Sequence, residues 1–219
     1  MIKIASLSLA LFASACTLGC HAPSASQTDA GSSTSVTSGR PTDGSAARVV
    51  DVPTRSGVTD RVLVLAPEGE PKAAVILFAG GNGGLRLGPP GSNGAIGALS
   101  GNFLIRSRQL FVDHGLLTVA IDAPSDRQSQ PYMANGFRES AKSVADVHAV
   151  IAWLRTQTHA PVWLVGTSHG TQSVAFAATS LSGADAPDGI VLTSTVTRDD
   201  KEKSIDSWVP WQLPWFFGC

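Results

Sequence analysis

The chain has 219 residues, a length that suits one ordinary globular domain, and hydrophobic residues make up 43% of it. Charged residues account for only 15%, and the formal net charge at pH 7 is −1. This balance excludes a strongly basic nucleic-acid-binding protein and a chain drawn to anionic membranes by charge alone. A wholly disordered chain is also excluded, because there is enough apolar surface to build a core.

The first twenty residues predict a signal peptide. Lys3 supplies a positive charge, and the apolar run 4–12 is too short to span a bilayer. Cys16 and Cys20 both end stretches that resemble imperfect bacterial lipobox sites. The resemblance implies a lipid-modified cysteine, Cys20 in preference to Cys16, and simple cleavage after residues 13–15 is the alternative. Both routes predict the bacterial cell envelope, with the protein lipid-anchored there or periplasmic or secreted.

Residues 21–47 form a segment of low hydrophobicity. It consists mainly of Ser, Thr, Ala and Gly, and Val36 is its one sizeable aliphatic residue. Such a composition cannot bury enough apolar surface to offset the entropy lost on ordering. We therefore predict a disordered tether here, followed by a domain over residues 48–207.

From residue 48 onward, apolar runs of strand length alternate with helical periodicity. The runs 72–79 and 116–121 are typical of strands buried on both faces of a parallel sheet. The predicted elements, in chain order, are strands 48–54, 58–66 and 72–79, helix 102–114, strand 116–121, helix 140–156, strand 161–165, helix 171–180 and strand 189–196. This order predicts an α/β fold with a mostly parallel sheet and helices on both faces.

Two glycine-containing segments follow predicted strands of this sheet. The segment 166–170, Gly-Thr-Ser-His-Gly, joins strand 161–165 to helix 171–180, which is the strand–turn–helix context of a nucleophile elbow. The glycine-rich loop 80–84 follows strand 72–79 and lacks the Gly-Lys-Ser/Thr ending of a phosphate-binding loop. Because ligands bind beyond the carboxyl ends of parallel strands, both segments belong to the predicted site.

These segments resemble the α/β-hydrolase superfamily in its bacterial esterase and lipase-like branch. The matching pieces are the strand-to-loop passage 78–81, the strand end at residue 122 and the elbow. The resemblance implies that Ser168 is the nucleophile and that the backbone amide of His169 is one oxyanion donor. It implies a second donor in the glycine loop, the amide of Gly81 with Asn82 as the alternative. The implied substrate is a small carboxylic ester or related acyl compound.

Three charged residues close to the predicted site have two interpretations each. Asp122 is expected to organise its own loop, with a place in the substrate region as the alternative. Arg127 and Arg138 are expected to be solvated loop residues, with an anion clamp as the alternative. The sequence carries no metal-ligand cluster and no cofactor fingerprint, so neither a metal nor a cofactor is predicted.

The general base that the resemblance requires is missing from the sequence. In this family the chain order is serine, acid, histidine, yet no histidine follows His169. His114, His148 and His159 are expected to be partly buried structural residues away from Ser168. The ring of His169 should point away from the serine hydroxyl, because it starts the following helix.

The end of the chain departs from everything before it. Residues 208–219 contain three of the five tryptophans and fit no helical or strand period. We expect a broken reading frame or a shortened chain near Ser207, so that the last strands, acid and base of the family are lost. A genuine aromatic tail is the alternative. Asp199 or Asp200 could take a post-strand acid position.

The sequence therefore predicts an envelope-anchored serine hydrolase with an incomplete α/β-hydrolase domain and impaired activity. The alternative is a non-catalytic envelope lipoprotein that uses the same fold as a binding or structural module. No nucleic-acid partner is predicted.

Overall fold

The computed structural model describes residues 47–197. The signal peptide with Cys16 and Cys20, nearly all of the predicted tether, and the aromatic tail lie outside the described residues. So do Asp199 and Asp200.

Six strands and four α-helices make up the described part of the chain. The strands are β1 (Arg48–Arg55), β2 (Val58–Leu65), β3 (Ala73–Phe78), β4 (Leu116–Pro124), β5 (Val162–Thr167) and β6 (Gly189–Thr193). The helices are α1 (Phe103–Arg106), α2 (Arg108–Asp113), α3 (Ala141–Gln157) and α4 (Gly170–Ser180), with short 3₁₀ turns at Ser125–Arg127 and Gly183–Asp185.

All six strands form one open sheet in the order β1-β2-β4-β3-β5-β6. β1, β2 and β4 pair antiparallel, whereas β4, β3, β5 and β6 are all parallel. The fold class predicted from the sequence, a mostly parallel sheet with helices, is confirmed. β3 and β5 are neighbours, so the loops that follow them lie side by side at the carboxyl edge.

Alternate side chains of the central strands pack on opposite faces of the sheet. Ile76 and Phe78 belong to the cluster with α3 and α4, while Leu77 belongs to a cluster with α1 and α2. Apolar side chains directed to both faces explain why the runs in β3 and β4 are continuously hydrophobic. The sheet is therefore a rigid, doubly covered platform for its carboxyl-edge loops.

The predicted helix 102–114 is in fact two short helices. The backbone at Ser107 leaves the helical region (φ −91°, ψ 1°), so one turn ends there and the next begins. β4 is longer than predicted, because the pairing of Asp60 in β2 with Pro124 extends it beyond residue 121. β6 stops at Thr193 instead of 196.

Within residues 47–197, no helix is both long enough and apolar enough to cross a bilayer.

Candidate active site

Ser168 occupies a sharp turn between β5 and α4. It has a left-handed backbone conformation (φ 52°) that is uncommon for residues other than glycine, and its N–H donates to Thr193 O at 3.1 Å. The Thr171 hydroxyl donates to Ser168 O at 2.6 Å and holds the turn from the helix side. At Gly170 a methyl group would lie 2.1 Å from Phe78 O, so only glycine lets the helix start so close to β3.

The glycine-rich loop packs directly against this turn. A methyl group at Gly80 would lie 2.9 Å from Ser168 Cβ and 3.1 Å from Thr167 O. Gly80 therefore brings the backbone of the loop into contact with the serine. The predicted juxtaposition of Ser168 with residues 80–84 is present.

Three backbone amides at this edge are available to an anionic atom. The N–H groups of Gly81 and Asn82 donate to no acceptor within residues 47–197, and Gly81 is exposed. His169 is exposed at the start of α4, where backbone N–H groups lack intrahelical partners and the helix dipole is positive. These are the amides that the sequence assigned to an oxyanion hole.

The side chain of Asn102 also reaches the edge, a contact that the sequence analysis did not anticipate. Its Oδ1 caps α1 by accepting from Leu104 N at 3.2 Å. Its Nδ2 lies 3.4 Å from the position of a Gly80 methyl group, the same point that lies 2.9 Å from Ser168 Cβ. An Asn just before a helix is a sequence sign of an N-cap. Nothing in the sequence, however, indicates that the Nδ2 atom of Asn102 lies close to Ser168.

Asp122 holds the loop that follows β3 as well as its own strand end. The buried carboxylate accepts from the N–H groups of Leu85 at 2.6 Å, Arg86 at 3.2 Å and Leu87 at 2.9 Å, and from Ala123 N at 2.8 Å. Asp122 therefore has the expected structural role, and the loop after β3 is held as well as its own strand end. Its carboxylate fixes the exit of the glycine-rich loop.

Arg138 is buried, with 3% exposure, so the expectation of a solvated arginine is wrong for it. Its Nη1 donates to Ser173 Oγ at 2.9 Å, and its Nη2 donates to Ala79 O at 3.2 Å and Gly81 O at 3.1 Å. We call Arg138 and these three acceptors the Arg138 network. Arg127 is half-buried, with its guanidinium 4.4 Å from the centre of the Phe137 ring.

None of the four described histidines forms a hydrogen bond with Ser168. His114 Nδ1 contacts Leu110 O at 2.7 Å, and His148 Nε2 contacts Asp185 at 3.1 Å. His148 is half-buried as expected, but His114 is exposed, so the expectation of burial was wrong for it.

The remaining two histidines are both exposed. His159 precedes β5 at the amino edge, opposite to Ser168, and the expectation that it is partly buried was wrong. His169 shares no hydrogen bond with Ser168 within the described range. The described residues thus bring together the serine and the amides, but no described imidazole forms a hydrogen bond with the serine.

A second guanidinium, that of the half-buried Arg55, lies at the end of β1 on the same edge of the sheet. Arg55 donates through Nε and Nη2 to Asp146 at 2.7 and 3.0 Å, and through Nη1 and Nη2 to Asp126 at 3.0 and 2.9 Å. Asp60 lies nearby with 1% exposure, and its Oδ1 has no partner in the described part of the chain. We call these four residues the Arg55 cluster.

Electrostatics differ among the members of the Arg55 cluster. Burial, reinforced by Asp146 and opposed by Arg55, raises the pKa of Asp60 to about 8. The hydrogen bonds from Arg55 lower the pKa of Asp126. The carboxylates of Asp126 and Asp146 in turn raise the pKa of Arg55. Asp60 is therefore largely protonated at neutral pH.

No grouping of three or more His, Cys, Asp or Glu side chains that could hold a metal ion occurs among residues 47–197.

No protein-family model and no curated protein matches the sequence. Solved structures do match. A lipase in its open form is 18% identical, covers 70% of this chain and 46% of its own, and has a TM-score of 0.51. DcsB in complex with its substrate analogue is 18% identical, with 69% and 46% covered and a TM-score of 0.51. A cold-adapted esterase from an Arctic intertidal metagenomic library is 18% identical over 68% of this chain, with a TM-score of 0.46.

The matches to the lipase and to DcsB, together with the strand order, show that the chain has the α/β-hydrolase fold. The match spans 59% of the length of the cold-adapted esterase and 46% of the lipase. The chain thus corresponds to less than two thirds of the solved structures that it resembles.

Proposed function

We propose that the chain is a serine hydrolase that acts on small carboxylic esters or related acyl compounds, with Ser168 as its nucleophile. The observation that carries the proposal is the left-handed turn at Ser168 packed against Gly80. A lone serine in a loop would need neither the backbone strain nor the close approach of a glycine-rich segment. Their combination supports a nucleophile elbow.

In the proposed reaction, Ser168 Oγ attacks the carbonyl carbon of the ester. Negative charge then develops on the carbonyl oxygen, and the amide of His169 together with that of Gly81, or of Asn82, stabilises it. The hydroxyl proton passes to solvent, the ester C–O bond breaks, and the alcohol leaves with a proton taken from solvent. Water then hydrolyses the acyl-serine, which releases the acid and restores the Ser168 hydroxyl. Removing one such donor typically lowers the rate about 10²–10³-fold, so these amides contribute strongly.

We further propose that turnover by this chain is weak. None of the four described histidines forms a hydrogen bond with Ser168. A serine hydroxyl without a base keeps only the acceleration supplied by binding and oxyanion stabilisation.

Labelling with a fluorophosphonate probe tests the nucleophile. Attack by Ser168 Oγ forms an O–P bond, releases fluoride and transfers the hydroxyl proton to solvent. We expect slow labelling of the full chain and none of Ser168→Ala. Ser194→Ala is the matched control, because Ser194 is also left-handed (φ 47°) just after the adjacent strand, and it should label at the parent rate.

Added imidazole tests the missing base. If Ser168 lacks a partner, free imidazole should accelerate labelling of the parent chain while leaving Ser168→Ala unlabelled. Labelling unaffected by imidazole would contradict the absence of a base.

The alternative function is that of a non-catalytic envelope lipoprotein that uses the fold as a binding module. The absence of a hydrogen bond between Ser168 and any described histidine favours it. A parent chain that no fluorophosphonate labels, even with imidazole, would support this alternative.

The envelope location is proposed from the sequence of residues 1–20. We expect a lipid on Cys20, with Cys16 as the alternative site. Incorporation of an alkynyl fatty acid that is lost in Cys20→Ser and kept in Cys16→Ser would support this proposal. Incorporation that neither substitution reduces would contradict it.

A further inference from the structure

The guanidinium of Arg138 connects the two segments that form the candidate site. One nitrogen, Nη1, binds Ser173 in α4, five residues after the serine of the elbow. The other, Nη2, binds the carbonyls of Ala79 and Gly81, on either side of Gly80. A single side chain therefore spans from the glycine-rich loop to the helix that begins at the nucleophile.

Because the guanidinium is buried, its hydrogen bonds to the protein are hard to replace. At 3% exposure the charged group cannot exchange its protein acceptors for water without leaving its site. Hydrogen bonds from a cation are shorter and stronger than neutral ones, and the planar fork of arginine fixes their directions. Arg138 is thus suited to holding backbone at a set position.

The contact with Gly81 O also sets the direction of an amide. In a planar trans peptide the C=O and the next N–H point in opposite directions. Because Arg138 holds Gly81 O, the N–H of Asn82 must point away from the guanidinium. The N–H of Gly81 is set similarly, since Gly80 O accepts from Gly83 N at 3.3 Å.

Space for the guanidinium is provided at Gly83. A methyl group there would lie 2.6 Å from Arg138 Nη2 and 3.0 Å from Met133 Sδ. A larger residue would displace the arginine from the loop. The sequence of the loop therefore suits the arginine as well as the amides.

We propose that Arg138 is a positioning residue that keeps the amides of Gly81 and Asn82 at a fixed place relative to Ser168. This inference rests on the proposed serine hydrolase function. Arg138 acts through the backbone of the loop and does not touch the reacting atoms.

The test compares Arg138→Lys, Ser173→Ala and the double variant in the full chain. Lysine keeps the charge but replaces the planar fork, whose two nitrogens bind the three acceptors, with one ammonium nitrogen on a flexible chain. Three measurements are made on each protein: the saturating rate of fluorophosphonate labelling, the probe concentration at half-saturation, and hydrogen exchange of residues 79–84.

For Arg138→Lys we expect a saturating labelling rate about 10–100-fold lower, since small displacements of catalytic groups have effects of this size. The half-saturating probe concentration should stay within about twofold, and exchange in residues 79–84 should rise. Ser173→Ala should lower the rate only a few-fold, and adding it to Arg138→Lys should have no further effect, because both changes break one network.

A merely structural arginine would behave differently. The melting temperature would fall while the folded protein kept the parent labelling rate, and that result would overturn the proposal. So would parent-like exchange in residues 79–84 of Arg138→Lys. Absence of labelling in the parent chain would instead remove the proposed function, and the exchange measurement would still decide whether Arg138 holds the loop.

Discussion

Two guanidinium groups lie at the carboxyl edge of this sheet, that of Arg138 buried and that of Arg55 half-buried, and the hydrogen bonds described above join them to different kinds of acceptor. The three described acceptors of Arg138 are neutral: two backbone carbonyls and a hydroxyl. Arg55 instead binds the carboxylates of Asp126 and Asp146. Phe137, which precedes Arg138 in the chain, has its ring centre 6.0 Å from the Arg55 guanidinium.

The difference separates two tasks. The Arg138 network holds backbone carbonyls of the glycine-rich loop and a hydroxyl of α4. The carboxylates of Asp126 and Asp146 join Arg55 in β1 to the turn at Ser125–Arg127 and to α3. Because the pKa of the neighbouring Asp60 is raised to about 8, the stability of the Arg55 cluster depends on pH. Arg138 therefore fixes backbone at the candidate site, whereas Arg55 links β1 to α3.

The largest expected effect comes from removing the cation of the Arg55 cluster. Arg55→Met would leave Asp146, 3% exposed at its side chain, without a counter-charge. We expect the free energy of unfolding to fall by about 3–5 kcal/mol, as is typical when one partner of a buried pair is lost. Urea denaturation at pH 7 measures the change.

Arg61→Met is the matched control for that substitution. Arg61 pairs with Asp51 at 2.7 Å, but both side chains are about one-third exposed, at 32% and 30%. The loss should be below about 1 kcal/mol. Equal losses for the two variants would show that burial does not distinguish the pairs.

Asp60→Asn tests whether the Arg55 cluster makes stability depend on pH. Between the usual aspartate pKa of 3.8 and about 8, the folded state keeps a proton that the unfolded state has lost. Stability contributed by Asp60 therefore falls as pH rises through this range, by roughly 1 kcal/mol per unit, and is constant above it. Asn cannot ionise, so the variant should match the parent near pH 4 and exceed it by a few kcal/mol at pH 8.

Urea midpoints from pH 4 to 9 measure this difference. The neighbouring charges of Arg55, Asp126, Asp146 and Asp122 are present in both proteins, so the difference between them isolates Asp60. Parallel profiles would mean that Asp60 is ionised throughout.

Gly83→Ala tests the space beside Arg138. The new methyl would clash with the guanidinium, and the residue has a left-handed backbone (φ 79°). We expect a loss of about 2 kcal/mol in stability together with slower labelling of Ser168. Gly91→Ala is the control, with nearly the same φ (78°) and nothing within 4 Å, and it should cost about 1 kcal/mol with labelling unchanged.

The smallest expected effect comes from the N-cap of α3, the helix that connects the Arg138 network to the Arg55 cluster. Ser140 Oγ accepts from Ser143 N at 3.2 Å and caps α3, the helix that follows Arg138 and carries Asp146. Ser140→Ala should lower the free energy of unfolding by about 1 kcal/mol. Ser107, at the start of α2, makes no such bond, so Ser107→Ala should be nearly neutral in the same urea titration.

Much of the fold could be predicted because its signals are local. Continuous apolar runs located β3, β4 and β5, and helical spacing located α3 within a residue or two. The break at Ser107 was not predictable, because the apolar residues on both sides of it keep a helical spacing. The length of β4 depends on Asp60 in another strand, which no local pattern encodes.

The candidate site, too, has parts that local sequence motifs predict and parts that depend on residues distant in the chain. The elbow and the glycine-rich loop are short motifs, and the structure places them in contact. Arg138 was expected to be solvated because an arginine in a polar loop has no sequence sign of burial. Its acceptors are 35, 57 and 59 residues away in the chain, so only the folded sheet brings them together.

The backbone at Ser168 has an evolutionary consequence. Glycine would adopt a φ of 52° more easily than serine, by about 1 kcal/mol. A library of this chain selected only for thermal survival should therefore drift to glycine at position 168. A library selected for ester cleavage should retain serine, so the two selections together would reveal what this residue is kept for.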